Sequence, residues 1–148
     1  MTLWHLAHIA GFTMWLGGGL AAMMVGLQSR REDTAAQPLV VRMLSIIHRV
    51  IMLPGIILAV GSGGYLSAAA ARAAAPSAWL MLMQVGGVIA ALLVLFVSLP
   101  TLSRLRRLSP VGDYATVYTA LRRRQAMAGM IAGILGLLSL LGGVLLKY

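Results

Sequence analysis

Few side chains in this sequence could do chemistry, and three histidines stand out among them. His5 and His8 are three residues apart, so on a helix they share one face, and His48 lies in a later apolar stretch. The other candidates are ten methionines, Gln84 and a few hydroxyl groups. Imidazole and thioether groups ligate haem iron and also suit copper(I). The set therefore fits a haem or metal site, and it also fits histidines that lie at the membrane interface or make structural hydrogen bonds.

Composition excludes several other kinds of chemistry. The chain has no cysteine, which rules out iron–sulfur clusters, thiol catalysis and thiolate zinc sites. None of its three acidic residues lies in an apolar stretch, which argues against a carboxylate proton relay or a cation pump. The sequence also contains no Ser/His/Asp set and no phosphate-binding loop.

The histidines lie in stretches long enough to cross a bilayer. The 148 residues are 60% hydrophobic and 10% charged, with a mean hydropathy of +0.92. A membrane-spanning helix needs about 20 mostly apolar residues. Because lipid offers backbone groups no hydrogen-bond partners, these stretches should be helical. The sequence predicts one all-α domain, a four-helix transmembrane bundle over 1–148, with spans at about 3–27, 44–69, 79–102 and 126–146.

The positions of the basic residues predict the orientation. Of the 12 basic residues, ten flank the first and third connections, and only Arg72 and Lys147 lie on the other side. Loops rich in Lys and Arg stay in the cytoplasm, so both termini should face the periplasm of a bacterial cytoplasmic membrane. The charge of +9 then indicates anionic lipids at the cytoplasmic face rather than nucleic acid. The ten residues are Arg30, Arg31, Arg42, Arg49, Arg104, Arg106, Arg107, Arg122, Arg123 and Arg124.

The connections carry further structural signals. Pro38 is placed to start a helix before the second span enters the membrane. Within residues 113–124, an apolar stripe with Asp113 as its cap predicts an interfacial amphipathic helix leading into the fourth span; the stripe is Tyr114, Val117, Tyr118 and Leu121. Pro54 should kink the second span. The pair Gly129 and Gly133 indicates close helix packing, within the bundle or at a dimer seam.

Helix geometry separates the histidines into two levels. With the first two spans antiparallel, His8 stands about 15 Å farther from the hairpin base than His48, at 1.5 Å per residue. Two axial ligands of one haem must share a height, so these two histidines should not share an iron. Met81, Met83 and Gln84 are level with His8. Met127 and Met130 are level with His48.

One motif resembles a known group of membrane proteins. The arrangement His8-x6-Trp15-x-Gly17-Gly18 is similar to the first span of CopD/HemJ-type integral membrane proteins. The second span matches loosely through Arg49, Pro54 and the motif Gly61-x-Gly63-Gly64, and Trp79 opens the third span.

The resemblance implies haem b at the first-span histidine, as in HemJ-type protoporphyrinogen oxidases. Those enzymes also carry a lysine after the third-span tryptophan, whereas here Trp79 is followed by Gln84 and that span has no lysine. A haem-binding bundle is therefore favoured over the oxidase.

These observations lead to one main functional expectation and two alternatives. The expectation is a small haem-b-binding membrane protein, acting as an electron carrier or as an accessory subunit beside other membrane subunits. His8 would be the axial ligand, Trp15 and Gly18 would shape the pocket, and Met83 or Gln84 would lie near it. The alternatives are a cofactor-free structural subunit, and a copper-handling protein that uses His5, His8 and methionines.

Overall fold

Four long helices account for almost all of the chain. The computed structural model describes residues 3–29, 31–71 and 77–145, and these contain no β-strand. Each helix is long and apolar enough to cross a membrane, which confirms the expected all-α bundle. The first to fourth spans are Leu3–Gln28, Thr34–Ala69, Ala78–Leu105 and Gly112–Leu145.

The second and third spans each contain a π-helical segment. Gln37 begins the second span's regular helix, with Pro38 in its first turn as predicted. The α-helical segments are α1 (Leu3–Gln28), α2 (Gln37–Ile46), α3 (Leu53–Ala71), α4 (Ala78–Leu93), α5 (Leu99–Leu105) and α6 (Ala115–Leu145). The π segments are Ile47–Met52, between α2 and α3, and Val94–Ser98, between α4 and α5.

Both π segments end two residues before a proline. Pro54 follows the π segment of the second span, and Pro100 follows that of the third. Proline has no N–H group, and its ring crowds the carbonyl four residues earlier. A wider turn just before the proline accommodates both effects. The distortion expected at Pro54 therefore takes the form of a widened turn.

Glycines set the closest approach between neighbouring spans. A Cβ added at Gly11 would lie 2.5 Å from the Ala59 backbone nitrogen, and one at Gly55 would lie 2.8 Å from the Gly11 carbonyl. In the other pair of spans, a Cβ at Gly86 would lie 2.7 Å from Ser139 Oγ. The first two spans thus form one tight hairpin, and the last two form another.

Two apolar clusters join the hairpins. The cluster in the middle of the bundle contains Trp15, Met52, Ile56, Ala59, Ala90, Ala91, Val94 and Ala132. The cluster towards one end contains Val40, Val41, Leu44, Leu102, Leu105 and Tyr118. Many large apolar side chains outside these clusters are exposed, as expected for a protein whose outer surface faces lipid.

The structure refines two predicted local features. The segment 113–124 leads into the fourth span as part of one continuous helix, α6 (Ala115–Leu145), with Asp113 in the 3-10 turn before it, and its position at the membrane interface stays a prediction. Gly129 and Gly133 do not pack within the bundle, because a Cβ at either position would meet nothing within 4 Å. Both glycines lie on the outer surface of the fourth span.

The two ends of the bundle differ in chemistry. Exposed Trp4, Tyr65 and Trp79 lie at one end, here called the aromatic end, where Trp4 stacks on Tyr65 at 4.4 Å between ring centroids. At the other end, here called the arginine end, lie the described arginines flanking the first and third connections. Arg30, Arg72 and Lys147 are outside the described residues. The direction in which the bundle crosses the membrane stays a prediction.

Candidate functional site

His8 lies at the aromatic end of the first span and is held by the second span. Its Nδ1 atom is 2.8 Å from the Ala59 carbonyl oxygen and 3.3 Å from Ser62 Oγ. The Ser62 hydroxyl donates to the Leu58 carbonyl. A carbonyl can only accept, so Nδ1 carries the proton and the Nε2 lone pair remains available. This is the tautomer of a histidine that ligates a metal through Nε2.

Gly63 sets the position of the His8 ring. A Cβ at Gly63 would lie 2.9 Å from His8 Cε1 and 3.2 Å from Nδ1, so the imidazole rests on the bare backbone of the second span. On its own helix the ring is 6.3 Å from that of Phe12. His8 is half-buried. The ring is therefore positioned by one glycine and one backbone carbonyl.

Trp15 and Gly18 do not form the pocket expected of them. Trp15 is buried, and its backbone nitrogen lies 2.8 Å from a Cβ added at Gly55. A Cβ at Gly18 would meet the Met52 side chain at 2.6 Å. The small residues on this face of the first span bring the second span into direct contact, so no space for a macrocycle remains between them. This packing shows no such pocket, and haem binding beside Trp15 and Gly18 stays a prediction.

Met83 and Gln84 lie on the opposite hairpin from His8. Met83 packs on the fourth span, where Cβ atoms added at Gly142 and Gly143 would lie 3.2 Å from its backbone nitrogen and 3.3 Å from its sulfur. Gln84 is half-buried in the same turn. The hydrogen bonds of His8 in the described structure are with the second span instead. Its Nδ1 atom is held by the Ala59 carbonyl and not by Gln84.

His5 lies one turn before His8 in the first span and is half-buried. No group of three or more His, Cys, Asp or Glu side chains among the residues the structure describes could hold a metal ion. A copper site at His5 and His8 would therefore need thioether ligands as well.

His48 is fully enclosed at the arginine end of the bundle. It lies in the π segment of the second span and is 3% exposed. Its Nδ1 atom is 2.8 Å from the Leu44 carbonyl oxygen, and its Nε2 atom is 3.4 Å from the side-chain nitrogen of Gln125. With Nδ1 donating to the carbonyl, Nε2 accepts from the Gln125 amide. Both nitrogens are occupied, so this geometry leaves His48 no free position for a metal.

Several more polar side chains are buried at this end, and sequence reasoning missed them. Ser45, Ser98 and Gln125 are buried, and their Ser45 Oγ, Ser98 Oγ and Gln125 Oε1 atoms have no hydrogen-bond partner among the described residues. Gln125 falls just outside the predicted fourth span, because it follows three arginines and precedes the apolar run that starts at Ala126. Gln125 lies three residues after Arg122 and so near the same face of a continuous helix. This spacing was the signal in the sequence that could have indicated its burial.

The structure keeps the two histidines far apart. Ser62, which contacts His8, is 14 residues after His48 on the same span. At 1.5 Å per residue this corresponds to about 21 Å along the helix. Met127 and Met130, expected at the level of His48, are exposed on the outer surface. His8 and His48 therefore belong to two separate environments.

Comparisons with known proteins found no relative of this chain. No protein-family model, curated protein or solved structure matches the chain.

Proposed function

We propose that this multi-pass membrane protein binds haem b, with His8 as its axial ligand, and acts as an electron carrier or an accessory subunit of a redox complex. The observation that carries the proposal is the hydrogen bond between His8 Nδ1 and the Ala59 carbonyl. It fixes the tautomer in which Nε2 can ligate iron, and it raises the basicity of the ligand. The membrane would be the bacterial cytoplasmic membrane, with both termini in the periplasm.

The described residues supply an iron ligand, His8, but do not enclose a haem pocket around it. Haem would supply one-electron redox chemistry, and the chain would supply ligation, orientation and a low dielectric. Trp15 and Gly18 would hold the first span against the second and so keep the His8 backbone in place. We propose His8 as the only iron ligand from this chain, because Met83 packs against the fourth span and His48 uses both its nitrogens.

The optical spectrum of the purified protein tests the proposal. After haem-replete expression, we expect a Soret band and a reduced-minus-oxidised difference in the α-band. His8→Ala should remove these bands while the protein remains monodisperse in detergent. His5→Ala and His48→Ala serve as matched controls and should retain them.

Three other outcomes would contradict haem ligation by His8. An unchanged spectrum in His8→Ala would exclude it as the ligand. Absence of haem in the wild type would favour the cofactor-free structural subunit. Copper found by metal analysis, without a Soret band, would favour the copper-handling alternative.

A further inference from the structure

An open groove lies between the third and fourth spans at the arginine end. Its volume of about 760 Å³ falls among the roughly 300–1,000 Å³ of ligand pockets. It is far from His8, which lies at the other end of the bundle, and His8 is not among the residues that line it. The groove is therefore separate from the proposed haem ligand.

The groove has a polar end and an apolar end. Thr116, Thr119, Arg123 and Arg124 line the polar part, and Leu93 and Ile131 line the apolar part. Leu93 belongs to α4, and the other positions recur along one face of α6, which runs continuously through the site. Ile131 is eight residues beyond Arg123, so the apolar part extends about 12 Å deeper along the helix.

The two arginines in the groove carry positive charge that no described residue neutralises. Arg122 donates to Ser29 Oγ at 2.8 Å, and Arg49 donates to Ser103 Oγ at 2.9 Å. Within the described structure, Arg123 and Arg124 have no such partner and are exposed. None of the three acidic residues in the sequence lines the groove. Its polar end is thus complementary to an anion.

We propose that this groove binds an anionic phospholipid from the leaflet at the arginine end. Its phosphate would lie against Arg123 and Arg124, and an acyl chain would lie along Leu93 and Ile131. The threonine hydroxyls, farther from the membrane centre, would contact the remaining head group. A free phosphate would leave the apolar part uncovered, and an acidic protein segment would not match a surface that continues into the lipid-facing side of the fourth span.

Lipid binding to the detergent-solubilised protein tests this proposal. We expect dioleoylphosphatidylglycerol to raise the thermal unfolding midpoint and dioleoylphosphatidylcholine to have little effect. The double variant Arg123→Gln/Arg124→Gln should bind phosphatidylglycerol about 30-fold more weakly, given the typical contribution of two basic residues at a membrane surface. The control Arg106→Gln/Arg107→Gln removes two exposed arginines of the same end outside the groove and should bind as the wild type does.

A second pair of variants tests the groove without changing charge. Ala120 lines the groove and Ala126 does not, and both are exposed on α6. Ala120→Trp should reduce phosphatidylglycerol binding several-fold, whereas Ala126→Trp should not.

The remaining outcomes overturn the proposal. Equal losses in the two arginine double variants would show general attraction to the charged end. Inorganic phosphate giving the same stabilisation at matched ionic strength would show an anion site without lipid specificity. Binding unchanged in Ala120→Trp would exclude the groove as the location.

Discussion

At the residue scale, the position of the His8 imidazole depends on the lack of a side chain at Gly63. His8 reaches the Ala59 carbonyl because the neighbouring second-span residue is Gly63. The next residue, Gly64, offers a contrast, since a Cβ there would meet nothing within 4 Å. Gly63 therefore leaves room for the His8 ring, whereas Gly64 contacts no part of the site.

Substitution of these glycines by alanine should separate the two roles. Alanine stabilises a helix by about 1 kcal/mol relative to glycine, so Gly64→Ala should be neutral or stabilising. In Gly63→Ala the new methyl group would push the ring away from the carbonyl, and an interhelical hydrogen bond in a membrane contributes about 0.6 kcal/mol. We expect Gly63→Ala to unfold at a lower denaturant concentration than Gly64→Ala and to lose haem occupancy.

Unfolding in mixed micelles and the Soret absorbance are the measurements for this pair. Equal stability and equal absorbance in the two variants would show that Gly63 does not position His8.

The sequence made His8 a candidate ligand but did not indicate the group that holds it. A histidine within an apolar stretch is recognisable from its residue type and position. The Ala59 carbonyl is not, because every residue has a carbonyl and only the register of two helices selects one. Gln125 was missed for a related reason: its burial depends on α6 extending through the arginines, and hydropathy alone begins the span at Ala126.

At the element scale, glycine contacts set the spacing of the helices in each hairpin. Gly55 faces the backbone of the first span, where no side chain can move aside. Gly61, on the same helix, faces open space. These two positions make a matched pair for testing the seam between the first and second spans.

Gly55→Ala should force the first two spans apart. Its Cβ would lie 2.8 Å from both the Gly11 carbonyl oxygen and the Trp15 backbone nitrogen. Overpacking of this kind costs about 1–3 kcal/mol of stability. Gly61→Ala should cost nothing. The free energy of unfolding in mixed micelles measures both, and a loss in Gly61→Ala as large as that in Gly55→Ala would contradict a seam at Gly55.

Elements differ in how far the sequence determines them. Hydropathy and length predicted four helices, since lipid leaves the backbone few alternatives. The π segments were not predicted, although Pro54 indicated a distortion of the second span. The partner of each glycine also could not be read from the sequence, because Gly129 and Gly133 have the same spacing as packed glycines and yet lie on the surface.

At the scale of the whole molecule, the described arginines lie at one end, and the exposed tryptophans Trp4 and Trp79 lie at the other. Tryptophan and tyrosine favour both membrane interfaces, so the aromatic end alone does not give the orientation. The arginines do, and they predict that the arginine end is cytoplasmic.

Labelling of single cysteines should show this orientation, because the natural chain has none. Ser77 and Ser109 are exposed at opposite ends of the bundle, and cysteine is close to serine in size. In intact cells, a membrane-impermeant maleimide should label Ser77→Cys, and it should label Ser109→Cys only after permeabilisation. The reverse pattern would place His8 near the cytoplasm and contradict the predicted topology.

Biogenesis of the bundle follows from the way its helices are paired. Each hairpin has its own glycine contacts and is complete once two consecutive helices have left the ribosome. Helices that are already stable in the bilayer can then associate in a second stage. The hydrogen bonds from Arg49 to Ser103, from Arg122 to Ser29 and between Gln125 and His48 join one hairpin to the other. All three lie at the arginine end, and two of them involve the fourth span, so the two hairpins are fully joined there only after the last helix has been synthesised.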